Sequence, residues 1–317
     1  MLSNLTSIIE MRLSNSLKFY ADVFVWFSNG HVKQVSSGDG IYYQPCIHPE
    51  GTHVVYSGNS SGPPRVWKAD LKTGEVVPLT PADSGARHPV FSWDGKRIAF
   101  SSDRASGQAP ERMEDMGPKG IPPQNLRVNI FIMDSNGMNT KQLTAGPYQD
   151  QRPTFSPDGK QIAFVSNRTG PNRLWLVSAD GTTAPRPLQE RGWGYRPWYS
   201  VDGKWIFFFT GIGGRHQICK ILAEGGKVVP LPNDDQGQSH GPFSDPTGAC
   251  LLMQSIRGGS WRIWELPLDG SPPRKLMPPG FSFAAHPTRS KNGIITFDVV
   301  RYTPLGYFKK IFASFFV

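Results

Sequence analysis

The chain has 317 residues, 38% hydrophobic and 12% aromatic, with 34 Gly and 29 Pro. It is aromatic enough for a sizeable core, too rich in turn residues for a helical bundle, and long enough for two ordinary domains or one large all-β domain. The formal charge is +9, yet there is no run of about five basic residues and no nucleic-acid motif, and no stretch of roughly 18 apolar residues that could form a transmembrane helix.

Residues 1–19 read as an N-terminal extension. Their apolar stretch carries Glu10 and lacks a basic region followed by a clean hydrophobic one, so no secretory signal is expected. The sequence as it stands suits a cytoplasmic location, and a periplasmic one would require a different start. From residue 20 to 301 the chain repeats. Short apolar strands are joined by turns that end in Gly51, Gly95, Gly159, Gly203, Gly248 and Gly293. These lie 44 or 45 residues apart, except for a step of 64 between Gly95 and Gly159. A second series of turns ends in Gly30, Gly74, Gly137, Gly181, Gly225 and Gly270, again 44 or 45 residues apart except for a step of 63 between Gly74 and Gly137. Asp-Gly or Asn-Gly between apolar runs is a hairpin signal, because glycine takes the positive φ the turn needs. Aliphatic–aromatic pairs stand before most of the second turns: Val23-Phe24, Val66-Trp67, Ile130-Phe131, Leu174-Trp175 and Ile263-Trp264, with Ile218-Cys219 in the fourth repeat.

A period of about 44 residues with four short strands is the signature of a β-propeller. Six turns of each type predict an all-β, six-bladed β-propeller of four-stranded antiparallel blades. The second-type turn at Gly30 precedes every first-type turn, and Gly293 has no second-type turn after it. N-terminal strands should therefore pair with C-terminal ones to close the ring and remove two open edges. The long step places an insert at about 106–127, between the second and third strands of blade two. It is expected to form a flap with Met113 and Met116 facing inward, or a decoration. Residues 302–317 are a tail without a repeat counterpart. It contains Phe308, Lys309, Lys310, Phe312, Phe315 and Phe316, which suit a membrane surface or docking on the ring.

Cys46, Cys219 and Cys250 are odd in number and form no CxxC pair, so buried thiols are expected rather than disulfides or a zinc ribbon. Cys46 and His48 share a strand face, where packing is the expected role. Gly58-Asn59-Ser60-Ser61-Gly62 matches G-x-S-x-G, but in a blade loop rather than on a strand-to-helix elbow.

The unit Arg152-Pro153-Thr154-Phe155-Ser156-Pro157-Asp158-Gly159-Lys160-Gln161-Ile162-Ala163-Phe164 resembles the PD40, or WD40-like, repeat of the TolB-type six-bladed propeller. Related units begin at His88-Pro89 and Arg196-Pro197, with weaker copies at Gln44-Pro45, Gly241-Pro242 and His286-Pro287. The resemblance covers roughly Asp22 to Arg301, the propeller portion and not TolB's N-terminal domain. It implies that the first strand of each blade lines a central channel.

Six segments then enter that channel at one rim. Each carries a residue just before a proline: Gln44, His88, Arg152, Arg196, Gly241 and His286, with His240 one position earlier. Proline should hold its predecessor extended, and six equivalent positions should converge on the axis. One expectation is a structural ring that closes the channel. A second is capture of an acidic group, with Arg152 and Arg196 as bidentate donors and Trp193 and Tyr195 as stacking surfaces. A third is a divalent transition metal held by His88, His240, His286 and Gln44. That arrangement is similar to oligogalacturonate lyase and would serve a metal-dependent lyase or hydrolase acting on acidic oligosaccharides. The leading expectation is a non-enzymatic, monomeric binding scaffold without cofactor, recognising a protein segment or a small anionic ligand at the His/Arg-rich mouth.

Overall fold

The computed structural model describes residues 17–36, 40–59, 62–104, 127–232 and 238–304. The inserted segment with Met113 and Met116, the residues of the tail beyond 304, and Ser60 lie outside them. Among the described residues there are 24 strands and no helix. Four antiparallel sheets have four strands each: Arg87–Phe91 to Lys141–Gln142, Gln151–Phe155 to Arg186–Pro187, Tyr195–Tyr199 to Val229–Pro230, and Ser239–Ser244 to Arg274–Lys275. A further eight-stranded sheet is two antiparallel groups of four, joined by one parallel pair, Ala21 with Ile41. One group runs from Ile41–Ile47 to Val76–Pro78. The other combines Ala285–Arg289 and Ile295–Pro304 with Leu17–Trp26 and Val32–Gln34.

That second group is the closure read from the repeat order. Leu17–Trp26 pairs antiparallel with Ile295–Pro304 over ten residues, from Leu17 opposite Pro304 to Trp26 opposite Ile295. The first strands of the six groups also touch in cyclic order. Ile41–Ile47 meets Arg87–Phe91, the contacts continue through Gln151–Phe155, Tyr195–Tyr199, Ser239–Ser244 and Ala285–Arg289, and the last returns to Ile41–Ile47. The strands therefore form a closed ring of blades numbered one (Ile41–Pro78) to six.

The repeated motif is turn chemistry. In blade three the Ser156 hydroxyl donates to Asp158 Oδ1 at 2.6 Å, and the same carboxylate oxygen accepts from the Lys160 amide at 3.0 Å. Ser200 and Asp202 repeat this pair, with Lys204 as the amide donor. The Ser156 bond in turn holds the Asp158 carboxyl below the usual carboxylate range. Between blades the faces bury the apolar run. Phe100, Phe131, Phe155, Phe164 and Trp175 belong to one cluster that spans blades one to three. Burying each such side chain contributes about 1.5–3 kcal/mol. Cys46 and His48 serve this packing. Cys46 is buried within the same cluster, and the His48 ring stands edge-on to Phe91 at 5.1 Å, over the blade-two turn glycine Gly95.

Candidate functional site

The innermost strand of every blade carries an irregularity at the same place. Register shifts fall between Tyr43 and Cys46, Arg87 and Val90, Gln151 and Thr154, Tyr195 and Trp198, His240 and Phe243, and Ala285 and Thr288. Inside each shift lies the residue before the proline. It is not extended. Gln44, His88, Arg152, Arg196 and His286 have φ between +50° and +56°, and Gly241 has +60°. Five non-glycine residues in the left-handed region at equivalent positions each cost on the order of 1–3 kcal/mol, which the surroundings must repay.

At Gln44, His88, Arg152 and His286 the repayment is a clasp between blades. The freed N–H of Gln44 donates to Asp298 Oδ2 at 2.6 Å, His88 to Ser57 Oγ at 2.9 Å, Arg152 to Ser101 Oγ at 3.3 Å and His286 to Gln254 Oε1 at 3.0 Å. Each acceptor stands on the second strand of the preceding blade, opposite the residue just before that blade's left-handed one. In blades three and four that position holds Val165 and Phe209, whose side chains have no acceptor.

The six left-handed residues line a cavity of about 100 Å³ together with the six prolines that follow them. Behind the prolines stand Val90, Trp198 and Phe243. The polar ring is internally bonded. In the amide orientation that satisfies both neighbours, Gln44 accepts from Arg152 Nη1 at 2.7 Å and Nη2 at 3.1 Å, and donates to His88 Nε2 at 3.2 Å. His88 Nδ1 meets Ser101 Oγ at 2.9 Å, so the proton is assigned to Nδ1. Arg196 Nη2 donates to His286 Nε2, and His286 Nδ1 faces both oxygens of Asp298 at 2.7 and 3.0 Å. Asp298 is buried. Gly241 makes room for this arrangement: a Cβ there would meet Arg196 Nη1 at 3.1 Å and Cδ at 3.3 Å. The Arg152 guanidinium lies 4.8 Å over the Tyr195 ring.

Burial and the neighbouring cations keep both histidines neutral. His286 is pushed down to about 4, by burial first and Arg196 second, with Asp298 opposing. His88 falls well below its ordinary value through burial, then Arg152 and Arg87. Burial, followed by repulsion from Arg152, also lowers Arg196. Two donors of the site have no acceptor: Arg152 Nε and the indole Nε1 of Trp198, both buried.

His240 does not join this ring, and the set expected to hold a metal is not brought together. His240 lies one residue before the left-handed Gly241, so its side chain leaves the strand on the other face. Its Nε2 is 2.5 Å from His216 Nδ1, and its ring stacks on Phe209 at 4.4 Å and against Trp261 at 4.7 Å. Trp193 belongs to the same cleft between blades four and five, 5.3 Å from His216 and 5.9 Å from Phe209. Of the remaining His and Gln residues, Nε2 of His286 faces a guanidinium and Nε2 of His88 faces an amide. No group of three or more His, Cys, Asp or Glu comes together as metal ligands among the described residues.

The TolB beta propeller domain family, PD40, matches residues 123–292. The chain belongs to this family. The Tol-Pal system protein TolB of Francisella tularensis is 26% identical over 277 residues, covering 84% of this chain and 59% of that protein. The uncharacterized peptidase YuxL of Bacillus subtilis is 29% identical over 217 residues, 67% of this chain and 29% of that protein. The chain thus spans less than two thirds of the curated relatives it matches. A putative TolB structure from Agrobacterium tumefaciens superposes with a TM-score of 0.66 at 18% identity, covering 90% of this chain and 99% of that one. An oligogalacturonate lyase in complex with manganese gives 0.56 at 14% identity, covering 85% and 80%. At these identities the structures establish the fold alone.

Within the TolB-like frame, the sequence reading missed Asp298 and Trp198 as parts of the site. Asp298 carries a signal in the repeat: four of the six equivalent positions, Ser57, Ser101, Gln254 and Asp298, hold a side-chain acceptor. Trp198 lies inside the strand, which suggests blade packing. It does pack, tilted against Phe243 at 4.4 Å, but it also lines the cavity.

Proposed function

We propose that this chain is a binding scaffold whose axial ring receives an anionic group, carried on a protein segment or a small ligand. The observation that carries this reading is the charge balance. The ring holds two guanidiniums, Arg152 and Arg196, and one carboxylate, Asp298, which His286 engages, while His88 and His286 are neutral and their Nε2 atoms are taken. The place of both guanidiniums on the lining of the cavity supports the same reading. So does a family relative's name as a Tol-Pal system protein, which fits a protein partner at the coarse level.

Isothermal titration with sodium acetate and with inorganic phosphate tests the site. At least one of these anions should bind at a one-to-one ratio, with affinity that falls as ionic strength rises. The Arg152→Gln/Arg196→Gln double variant should lose that binding. Failure of both anions to bind the wild type, or equal binding by the double variant, would overturn the assignment.

A further inference from the structure

The cavity has features that bear on the kind of anion. It measures about 100 Å³. That is smaller than the roughly 150 Å³ cavity that accommodates benzene, so only a short alkyl portion of a ligand fits inside it. Beyond the polar ring the walls are the six prolines with Cys46, Val90, Trp198, Phe243 and Thr288, whose hydroxyl is already engaged by the Ile47 N–H and Thr296. Such walls favour an alkyl group over a hydroxylated one. The acceptor nitrogens of the ring are already engaged, His88 Nε2 by Gln44 and His286 Nε2 by Arg196. A ligand hydroxyl would find no free imidazole there. The guanidiniums of Arg152 and Arg196 on the lining carry only donors and suit oxygens that only accept. Finally, two guanidiniums against one carboxylate leave a surplus of one positive charge. A singly charged ligand neutralises it, and a dianion overshoots.

We propose that the ligand is a carboxylate borne on a short branched alkyl group, of the size of isovalerate or of a C-terminal valine. The carboxylate meets Arg152 and Arg196, and the branched group fills the proline-walled cavity. This deepens the anion reading and rests on it. Two sources share the chemistry: a free short-chain acid, and the C-terminal residue of a peptide whose chain leaves through the mouth.

Ligand-observed NMR and titration calorimetry on the full chain would compare acetate, isobutyrate, isovalerate, isovaleramide, inorganic phosphate, galacturonate and N-acetyl-glycyl-valine. Each methylene buried should tighten binding about fourfold, so isovalerate should exceed acetate by tenfold or more. Isovaleramide, which has the shape without the charge, should not bind measurably. A Val90→Phe variant, which narrows the cavity, should keep acetate and lose the advantage of isovalerate. The wild-type series decides by itself if that variant does not fold. Tighter binding of N-acetyl-glycyl-valine than of isovalerate supports the peptide source, and the reverse supports the free acid. If phosphate or galacturonate binds as well as isovalerate, or if alkyl length has no effect, the proposal fails while the anion reading stands. If no anion binds, both fail.

Discussion

Asp298→Asn is the sharpest perturbation of the ring, because it changes charge and donor pattern without changing shape. The wild-type carboxylate accepts from the Gln44 amide at 2.6 Å and from His286 Nδ1 at 2.7 and 3.0 Å, and it is buried. Asparagine offers one carbonyl oxygen and one NH₂. With its oxygen in the Oδ2 place, asparagine still accepts from both the Gln44 N–H and His286 Nδ1, and its NH₂ takes only the longer 3.0 Å contact; turned over, the NH₂ faces both donors. His286 cannot relieve the conflict by moving its proton, since Nε2 is needed as the acceptor for Arg196. In the better orientation both short bonds survive but lose their charge assistance. Bonds to a charged group are worth about 1.5–3 kcal/mol and neutral ones about 0.5–1.5 kcal/mol, so the variant should lose on the order of 2–3 kcal/mol. In urea denaturation followed by intrinsic fluorescence, a slope of about 1–3 kcal/mol per molar turns this into a midpoint shift of roughly 1 M or more. A midpoint unchanged within error would show that Asp298 does not hold the seam between blades six and one, and the clasp account would be wrong.

Gly241→Ala should cost about 1–2 kcal/mol, from the left-handed φ of +60° and a Cβ within 3.1–3.3 Å of Arg196. It should also weaken anion binding by displacing Arg196; an unaltered affinity would mean that Arg196 is not a contact. Acid should destabilise the fold well before the carboxylates titrate. His286 and His240 are held down to about 4 and about 3 in the folded chain, mainly by burial. Unfolded, they titrate near 6.5 and bind more protons, so stability is complete above about pH 6.5 and falls as pH drops toward 4. Denaturation midpoints that stay flat between pH 7 and 4.5 would contradict the neutral, buried imidazoles.

The blades were legible because their signals are local. Ser-Pro-Asp-Gly-Lys encodes its own turn through Ser156 and Asp158, and the turn can be read without knowing what packs on it. Repetition then supplied the long-range information. Equivalent positions in a closed ring must converge, which brings Gln44, His88, Arg152, Arg196, Gly241 and His286 together, as they are around the cavity. What failed was the conformation at those positions. The preference of pre-proline residues for extended backbone is a local rule. At Gln44, His88, Arg152 and His286 the left-handed backbone is met by a contact from the neighbouring blade, which a single repeat unit does not reveal, and Arg196 and Gly241 adopt it without one. His240 was misplaced for a related reason. It sits next to the irregularity, where a one-residue offset reverses the side-chain direction, and it faces His216 and Trp261 instead of the axis.

The same irregularity links ligand capture to ring closure. Each arginine reaches across the ring instead of serving its own blade. Arg152 of blade three engages Gln44 of blade one, and Arg196 of blade four passes Gly241 of blade five to reach His286 of blade six. Gln44 and His286 both end on Asp298, which lies on Ile295–Pro304, the strand that pairs with the N-terminal Leu17–Trp26. The site therefore lies on the seam where the two ends of the propeller meet. Blades three and four, where Val165 and Phe209 replace the acceptors, leave the clasp incomplete on one side only. An anion between the two guanidiniums would offset their mutual repulsion. Binding should thus stabilise the whole ring by RT ln(1 + [L]/Kd), roughly 2.7 kcal/mol at a hundredfold excess over Kd, and the gain should disappear in a variant whose seam is already broken.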